Sequence, residues 1–353
     1  MRKHYIDNLR WITILLLIPY HAAMAWNVWG EPNYIFFESN RIISSIIVFL
    51  SPYFMPLLFV LAGVSTRFAL QKRSPGSYAF ERVKKLLIPF TFGTLIFMPI
   101  MTYIADKFNY GYNENLFKHY GIFFTRFTDL TGADGGFSLG QFWFLIYLFF
   151  ISVTALGIIV LQKKFFSVKK SAPLWLMCIL GLPLPFLSEL LSIGGKSLAE
   201  YLYLFLIGYY VFSDESAINK AEKYKWFFLL IGLAAAILNV YLFIWSDIQY
   251  PIFNTAAKFL SEWFMIIALL GAGKGRMNFS GKVSGYMSQR SFAFYILHFI
   301  WVVLFQYLLS GVCVGNTILM YILPVILAYS ATFLCCEICA EIPVIGFLMG
   351  IKS

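Results

Sequence analysis

The sequence predicts an all-α integral membrane protein, a bundle of about ten transmembrane helices with both termini in the cytoplasm. Composition predicts the class: 60% of the 353 residues are hydrophobic and only 12% are charged, whereas a soluble domain carries about 25% charged residues. The mean hydropathy of +0.75 agrees with this class. The placement of basic residues between the apolar segments predicts the orientation.

Ten apolar segments are long enough to cross a hydrocarbon core of ~30 Å, which needs about 20 residues per helix. They run over 10–29, 44–70, 86–105, 140–161, 173–191, 197–213, 226–246, 253–273, 291–310 and 317–340. We expect the first to be a retained helix rather than a signal peptide, because no small-residue cleavage site follows it. The fifth and sixth are the shortest and could also be half-helices or one hairpin, since Pro183 and Pro185 interrupt the fifth.

The basic residues predict which connections face the cytoplasm. With a cytoplasmic N-terminus, 21 of the 27 lysines and arginines fall on the cytoplasmic side. The six on the other side are Arg41, Lys107, Lys118, Arg126, Lys196 and Lys258. The net charge of +10 therefore indicates membrane topology rather than nucleic-acid binding. We predict a single transmembrane domain over residues 1–353.

The longest connection, residues 106–139, is predicted to be external. It is rich in aromatic residues and contains the polar stretch Thr131–Gly136 near its end. Loops of this length are usually functional or disordered. The aromatic rings could stack on the C–H faces of sugars, or they could form an aromatic belt at the membrane interface.

The five cysteines are predicted to be small packing residues. All of them lie in or beside apolar segments, and their odd number has no metal-type spacing. No metal site is therefore expected. The cysteines are Cys178, Cys313, Cys335, Cys336 and Cys339.

The first apolar segment carries an arginine at its predicted start and a histidine eleven residues later, Arg10 and His21. A helical rise of ~1.5 Å per residue separates them by roughly 16 Å along the axis. If Arg10 lies at the membrane surface, His21 lies near the bilayer midplane. An ionisable side chain at that depth indicates a functional site. The alternative is a histidine that only hydrogen-bonds a neighbouring helix.

Few other ionisable residues fall inside the predicted spans. His298 is placed about two turns from the cytoplasmic end of its helix, and Glu337 lies at a depth similar to that of Arg10. An Arg10–Glu337 ion pair is therefore plausible, with a structural or a functional role. The remaining members of this group are Glu189, Glu200 and Glu262.

These residue types suit proton transfer and anion binding. A neutral imidazole can take a proton from a hydroxyl group, because its pKa lies close to the operating pH. Arg82 and Lys85 are three residues apart and would share a helical face. Together with Arg10 they could place positive charge at a cytoplasmic cavity mouth, which suits the phosphates of a nucleotide-bearing donor. Ordinary positive-inside charge is the alternative.

Several stretches resemble segments of the membrane-bound acyltransferase 3 family. The first helix of that family carries a basic residue, ten intervening residues and a histidine, which Arg10 and His21 match. Its Arg-x-x-Arg on the third helix corresponds to Arg82 and Lys85, with lysine replacing the second arginine.

Other matches extend the resemblance over the whole chain. Phe59–Gly63 is similar to a Phe-Phe-x-Ser-Gly segment, with Ala62 where serine is usual. Phe142–Leu145 and Tyr295–His298 match two further segments. Ten core helices is also the family's number. Within the family, the chain is most like a branch associated with succinylation of osmoregulated periplasmic glucans.

The resemblance implies a multi-pass enzyme of the bacterial inner membrane that transfers an acetyl or succinyl group from cytoplasmic acyl-CoA to a hydroxyl of an envelope glycan. His21 would be the general base or a transient acyl carrier, and Arg10, Arg82 and Lys85 would hold the donor phosphates. His298 and Glu337 are further candidates for orienting His21 or the donor.

Acyl-CoA is thus expected as a co-substrate, with no bound cofactor. The expected partners are an envelope carbohydrate and the lipid bilayer, without nucleic acid, and a homo-oligomer is compatible with the sequence. Two alternatives remain: a glycan or glycolipid transporter without acyl chemistry, and a non-catalytic partner of a glycan synthase.

Overall fold

The computed structural model is almost entirely helical and is compatible with the predicted membrane protein. It describes residues 3–31, 33–127, 135–165, 172–248, 250–312 and 315–351. Within these residues, eight helical segments are long and apolar enough to cross a membrane: His4–Trp26, Arg41–Ala69, Pro75–Tyr110, Gly140–Gln162, Lys225–Trp245, Pro251–Arg276, Lys282–Ser310 and Thr317–Glu341. Two shorter apolar segments, Leu174–Ser188 and Leu198–Phe212, correspond to the fifth and sixth predicted spans, which are the shortest. The count of ten spans and the cytoplasmic termini stay predictions.

The α-helices of the described residues follow in chain order. They are α1 (His4–Leu15), α2 (Leu17–Ala23), α3 (Arg41–Leu50), α4 (Phe54–Ala69), α5 (Pro75–Arg82), α6 (Ile88–Tyr110), α7 (Leu116–Thr125), α8 (Trp143–Phe165), α9 (Leu174–Ile179), α10 (Leu184–Ser188), α11 (Leu198–Ile207), α12 (Glu215–Lys223), α13 (Lys225–Val240), α14 (Pro251–Arg276), α15 (Lys282–Ser310), α16 (Thr317–Glu341) and α17 (Pro343–Leu348).

Shorter elements complete the described fold. Strands β1 (Ser192–Ile193) and β2 (Lys196–Ser197) form one antiparallel pair. The helical segments with 3₁₀ or π hydrogen bonding are Met24–Trp26, Val83–Leu87, Gly140–Phe142, Gly208–Phe212 and Tyr241–Trp245.

Two compact units divide the chain. Unit 1 comprises the described residues of Met1–Thr13, Val48–Val83 and Tyr147–Ser288. Unit 2 comprises those of Ile14–Ile47, Lys84–Ile146 and Gln289–Ser353. The single domain over 1–353 stays a prediction, and the two units are described separately below.

The first predicted helix differs from the structure in two ways. It begins at His4, six residues before Arg10, and its regular hydrogen bonding is interrupted at Leu16, between α1 and α2. The interruption follows from Pro19, which has no backbone N–H to bond the Leu15 carbonyl four residues earlier. The hydroxyl of Tyr329 on α16 donates to that carbonyl instead, at 2.7 Å.

The bond from Tyr329 should contribute measurably to stability. We expect Tyr329→Phe to lower the free energy of unfolding by about 1–3 kcal/mol, because the Leu15 carbonyl would lose its donor within an apolar helix bundle. Unfolding of the detergent-solubilised protein measures this. The matched control is Tyr307→Phe, which removes a hydroxyl that has no partner among the described residues. Equal losses in the two variants would contradict the assignment.

The predicted external connection 106–139 is partly helical. The preceding helix α6 continues to Tyr110, and α7 forms within the connection over Leu116–Thr125. Asn115 caps α7 by accepting the backbone N–H of Lys118 at 3.0 Å. Phe123 is fully buried whereas Phe117 is largely exposed, so only some of the aromatic rings are available to a ligand or an interface. Residues 128–134, including most of the polar stretch Thr131–Gly136, lie outside the described residues.

A cluster of three ionisable residues, Asp106, His119 and Arg126, links α7 to α6. The Asp106 carboxylate accepts from Nη2 of Arg126 at 3.0 and 2.8 Å, and its Oδ2 lies 3.1 Å from Nε2 of His119. His119 and Asp106 are both buried. Because a carboxylate only accepts, Nε2 of a neutral His119 carries the proton. Burial lowers the pKa of His119 below its usual value, although the hydrogen bond to Asp106 opposes the shift.

This cluster predicts a loss of stability in mild acid. The unfolded chain has an ordinary histidine pKa of about 6.5, so below that pH it binds more protons than the folded chain does. The stability that neutral His119 contributes is therefore present above about pH 6.5 and is lost as the pH falls, by at most about 1.4 kcal/mol per pH unit. Thermal unfolding between pH 7.5 and 5.5 measures the slope. His119→Gln should flatten it, and an unchanged slope in that variant would contradict this account.

Close helix packing fixes α4 in unit 1. A Cβ atom on Gly63 would overlap the carbonyl oxygen of Phe205, and one on Gly208 would overlap the carbonyl oxygen of Val60. Glycines at both positions allow the two backbones to approach, as small residues commonly do between membrane helices. This approach sets the position of the last turns of α4, which carry Arg67 and the Ser65 hydroxyl that Arg10 contacts.

Candidate active site

Two imidazole rings meet in unit 2. The ring centroids of His21 on α2 and His298 on α15 are 5.3 Å apart. His21 also stacks on Phe299, with centroids 3.9 Å apart and an interplanar angle of 22°. The ring of Tyr34 packs edge-on against Phe299 at 5.3 Å. The structure therefore brings one primary and one secondary predicted site residue into a single cluster.

The geometry fixes the tautomer of His298. Its Nδ1 lies 2.6 Å from the backbone carbonyl oxygen of Tyr295. Because a carbonyl can only accept, Nδ1 carries the proton and Nε2 keeps a lone pair. The ring is fully buried, and Nε2 has no hydrogen-bond partner among the described residues. His298 thus presents a basic nitrogen that has a fixed orientation and is shielded from solvent.

His298 lies deeper in its helix than the sequence predicted. The expected position, about two turns from a helix end near residue 291, is wrong, because α15 begins at Lys282. His298 therefore follows the helix start by sixteen residues, roughly 24 Å at ~1.5 Å per residue. The true start of α15 was missed in the sequence, because its first residues are polar and fall outside an apolar window. The contact between the two rings accordingly forms near the middle of a 29-residue helix.

The backbone around His21 is held from two sides. The side-chain amide of Gln306 on α15 donates to the carbonyl of Ala22 at 2.9 Å. The hydroxyl of Tyr321 on α16 donates to the carbonyl of Pro19 at 3.1 Å. His21 is partly exposed, in contrast to the buried His298. Of the two rings, His21 is therefore the one with exposed surface.

Glu337 has a partner in unit 2. Its Oε1 accepts from Nε of Arg290 at 3.0 Å, and about half of the Glu337 side chain is exposed. An exposed pair of this kind contributes at most about 1 kcal/mol. The predicted Arg10–Glu337 pair would join the two units and stays a prediction, as does the role of Glu337 in orienting a ligand.

In unit 1, Arg10 lies beside the last turns of α4. Its Nη2 donates to the Ser65 hydroxyl at 2.9 Å, and its Nη1 lies 3.1 Å from Asp7 Oδ1. The next residue, Thr66, shares a hydrogen bond of 2.8 Å with the Tyr78 hydroxyl. The guanidinium of Arg82 lies over the Tyr78 ring at 4.7 Å from its centroid. The structure thus connects two of the predicted donor-binding residues through consecutive positions of α4.

A third arginine at this place was not selected from the sequence. Nη1 of Arg67 donates to the Tyr209 hydroxyl at 3.2 Å, and its guanidinium lies 5.1 Å from the centre of that ring. In the described part of the chain, Arg67 and Arg82 contact aromatic rings instead of carboxylates. Their charges are therefore available to an anion. In the sequence, Arg67 could not be distinguished from an ordinary arginine on the cytoplasmic side of a membrane helix.

A family model described as an acyltransferase domain matches residues 3–341. The chain belongs to this acyltransferase family. No curated protein and no solved structure matches it. The family resemblance predicted from the motifs is thereby confirmed, and the protein is a membrane acyltransferase.

The predicted site residues of this acyltransferase fall in both units. Arg10 and Arg82 belong to unit 1, whereas His21, His298 and Lys85 belong to unit 2. Lys85 lies in the π segment Val83–Leu87 that follows α5, so the regular α-helical spacing used to predict a shared face with Arg82 does not hold between them.

Two buried carboxyl groups of the acyltransferase lie in unit 1. Glu200 lies on α11 and Glu262 on α14, and both are buried. Glu189, by contrast, is exposed at the end of α10.

Proposed function

We propose that this acyltransferase moves an acetyl or succinyl group from cytoplasmic acyl-CoA to a hydroxyl of an extracytoplasmic envelope glycan. The observation that supports this reaction is the imidazole pair: a partly exposed His21 in contact with a buried, oriented His298. Acyl transfer to a hydroxyl needs a base that is neutral near pH 7, and imidazole is the side chain that meets this requirement.

In the proposed reaction, His21 accepts the proton of the acceptor hydroxyl while the hydroxyl oxygen attacks the thioester carbonyl. The C–S bond of the resulting tetrahedral intermediate then breaks. The imidazolium returns its proton to the departing thiolate, which gives an O-ester and free CoA. Transfer through a transient acyl-His21 would give the same products.

The arginines of unit 1 support a phosphate-bearing donor. Arg10 and Arg82 are proposed to bind the phosphates of acyl-CoA, and the contact of Arg67 with Tyr209 favours adding Arg67 to this set. The predicted contribution of Lys85 stays a prediction. Guanidinium groups bind phosphate oxygens through paired, charge-assisted hydrogen bonds. A lysine at position 85 supplies charge without that bidentate geometry.

The subtype rests on sequence resemblance. The stretches Tyr5–Arg10, Ile18–His21 and Glu337–Pro343 are most like glucans biosynthesis protein C, which is associated with succinylation of osmoregulated periplasmic glucans. This resemblance favours succinyl transfer to a glucan at the bacterial inner membrane as the specific reaction.

Proteoliposomes test the proposal. Purified protein supplied with labelled acetyl-CoA or succinyl-CoA on one side and a gluco-oligosaccharide on the other should release free CoA and label the oligosaccharide in equal amounts. A transporter would move the oligosaccharide without consuming the thioester. Transport without CoA release would therefore replace the proposed function with that alternative.

A further inference from the structure

A buried glutamine lies next to the turn that carries His298. Gln141 sits in the short 3₁₀ segment Gly140–Phe142 and is 3% exposed. Its side-chain nitrogen donates to the carbonyl of Ile296 at 3.2 Å. Its backbone carbonyl accepts the hydroxyl of Tyr295. These two bonds fix Gln141 against α15 within one turn of His298.

The same bonds fix the orientation of the Gln141 amide. Rotating it by half a turn would place Oε1 against the Ile296 carbonyl oxygen, and two acceptors would then repel each other. Oε1 therefore points away from Ile296. It is buried and has no hydrogen-bond partner among the described residues.

Two buried acceptor atoms beside the same stretch of α15 thus have no hydrogen-bond donor among the described residues. One is Gln141 Oε1, and the other is His298 Nε2. Leaving buried acceptors unpaired is unfavourable, so the arrangement fits a bound group that brings its own donors. Phosphates and the thioester carbonyl offer only acceptors. A saccharide offers several hydroxyl donors, and the cluster also contains the aromatic rings of Tyr34 and Phe299.

We propose that Gln141 Oε1 and His298 Nε2 together bind hydroxyl groups of the acceptor, so that Gln141 selects a polyhydroxylated substrate and holds it beside His21. This inference rests on the proposed acyl transfer and deepens it by assigning an acceptor-binding residue. The pantetheine arm of the donor also carries a hydroxyl and amide N–H groups, and is the competing occupant.

Separate Michaelis constants for acceptor and donor test the assignment. With a gluco-oligosaccharide acceptor, Gln141→Leu should raise the acceptor KM by roughly 5- to 100-fold, because it leaves a ligand hydroxyl without its acceptor. The KM for acetyl-CoA or succinyl-CoA should stay within about twofold. Gln141→Glu keeps an oxygen for the ligand hydroxyl but places a second oxygen against the Ile296 carbonyl, so it should recover only part of the loss.

Asn239→Leu provides the matched control. Asn239 is another buried amide that donates to a backbone carbonyl, that of Val48, but it belongs to unit 1. This variant should leave the acceptor KM unchanged. The proposal is overturned if Gln141→Leu and Gln141→Glu both keep the wild-type acceptor KM, or if the donor KM rises instead. If the wild type releases no CoA under any condition, the proposed function itself is wrong. This outcome is distinguishable from a failure of the Gln141 assignment, because the wild type is assayed first.

Discussion

Replacing His21 with alanine is expected to lower kcat for acyl transfer by about 10²–10⁴-fold, the usual contribution of a positioned general base. His21 is the partly exposed member of the imidazole pair, and we propose that it contacts both hydroxyl and thioester. The KM for acyl-CoA should change little, since we propose that other residues bind the phosphates.

Two further variants separate chemistry from folding. His21→Gln keeps most of the side-chain volume against Phe299 but cannot accept a proton at neutral pH. It should be nearly as inactive as the alanine variant while unfolding at a temperature close to that of wild type. His4→Ala removes a histidine from α1 outside the imidazole pair and should keep full activity. Wild-type kcat in His21→Gln would show that a different group acts as base.

The second large effect is expected at the donor site. Arg82→Ala should raise the KM for acyl-CoA by roughly 10- to 100-fold, the equivalent of losing one charge-assisted hydrogen bond. The phosphates of acyl-CoA are remote from its thioester carbonyl, so the proposed site should bind them equally in the ground and transition states. The loss should therefore appear in KM, with kcat almost unchanged. Tyr78 holds the guanidinium in place and in turn bonds Thr66, so the site is preorganised.

A truncated donor distinguishes phosphate binding from a general structural effect. Acyl-pantetheine has the thioester but none of the phosphates, so wild type and Arg82→Ala should use it with the same KM. Arg276→Ala removes a guanidinium that stacks on Trp226 in the same unit, and it should leave both donors unaffected. A KM defect that persists with acyl-pantetheine would exclude Arg82 as a phosphate ligand.

Hydropathy predicted the long helices well because apolar length alone decides which segments can span a membrane. It located their ends poorly, since polar first turns such as Lys282–Gln289 fall outside an apolar window. The break at Leu16 was not predicted, although Pro19 accounts for it, and the compensating bond from Tyr329 depends on a residue more than three hundred positions away. The helix α7 was missed because a loop of that length was taken as one connection.

For the candidate site, too, the sequence predicted residues that lie in local motifs and missed those that depend on long-range contacts. Local motifs selected His21, Arg10 and Arg82, because each lies in a recognisable pattern. The contact between His21 and His298, and the approach of Gln141 to α15, depend on tertiary packing that has no local signature. Arg67 likewise differs from an ordinary flanking arginine only through its contact with Tyr209.

Mass spectrometry of envelope glycans tests the central claim most directly. Glycans from cells carrying the wild-type protein should show a mass gain of one or more acetyl or succinyl groups. The gain should be absent from cells without the protein and from cells carrying His21→Gln at equal protein levels. Identical glycan masses in all three strains would contradict acyl transfer to an envelope hydroxyl.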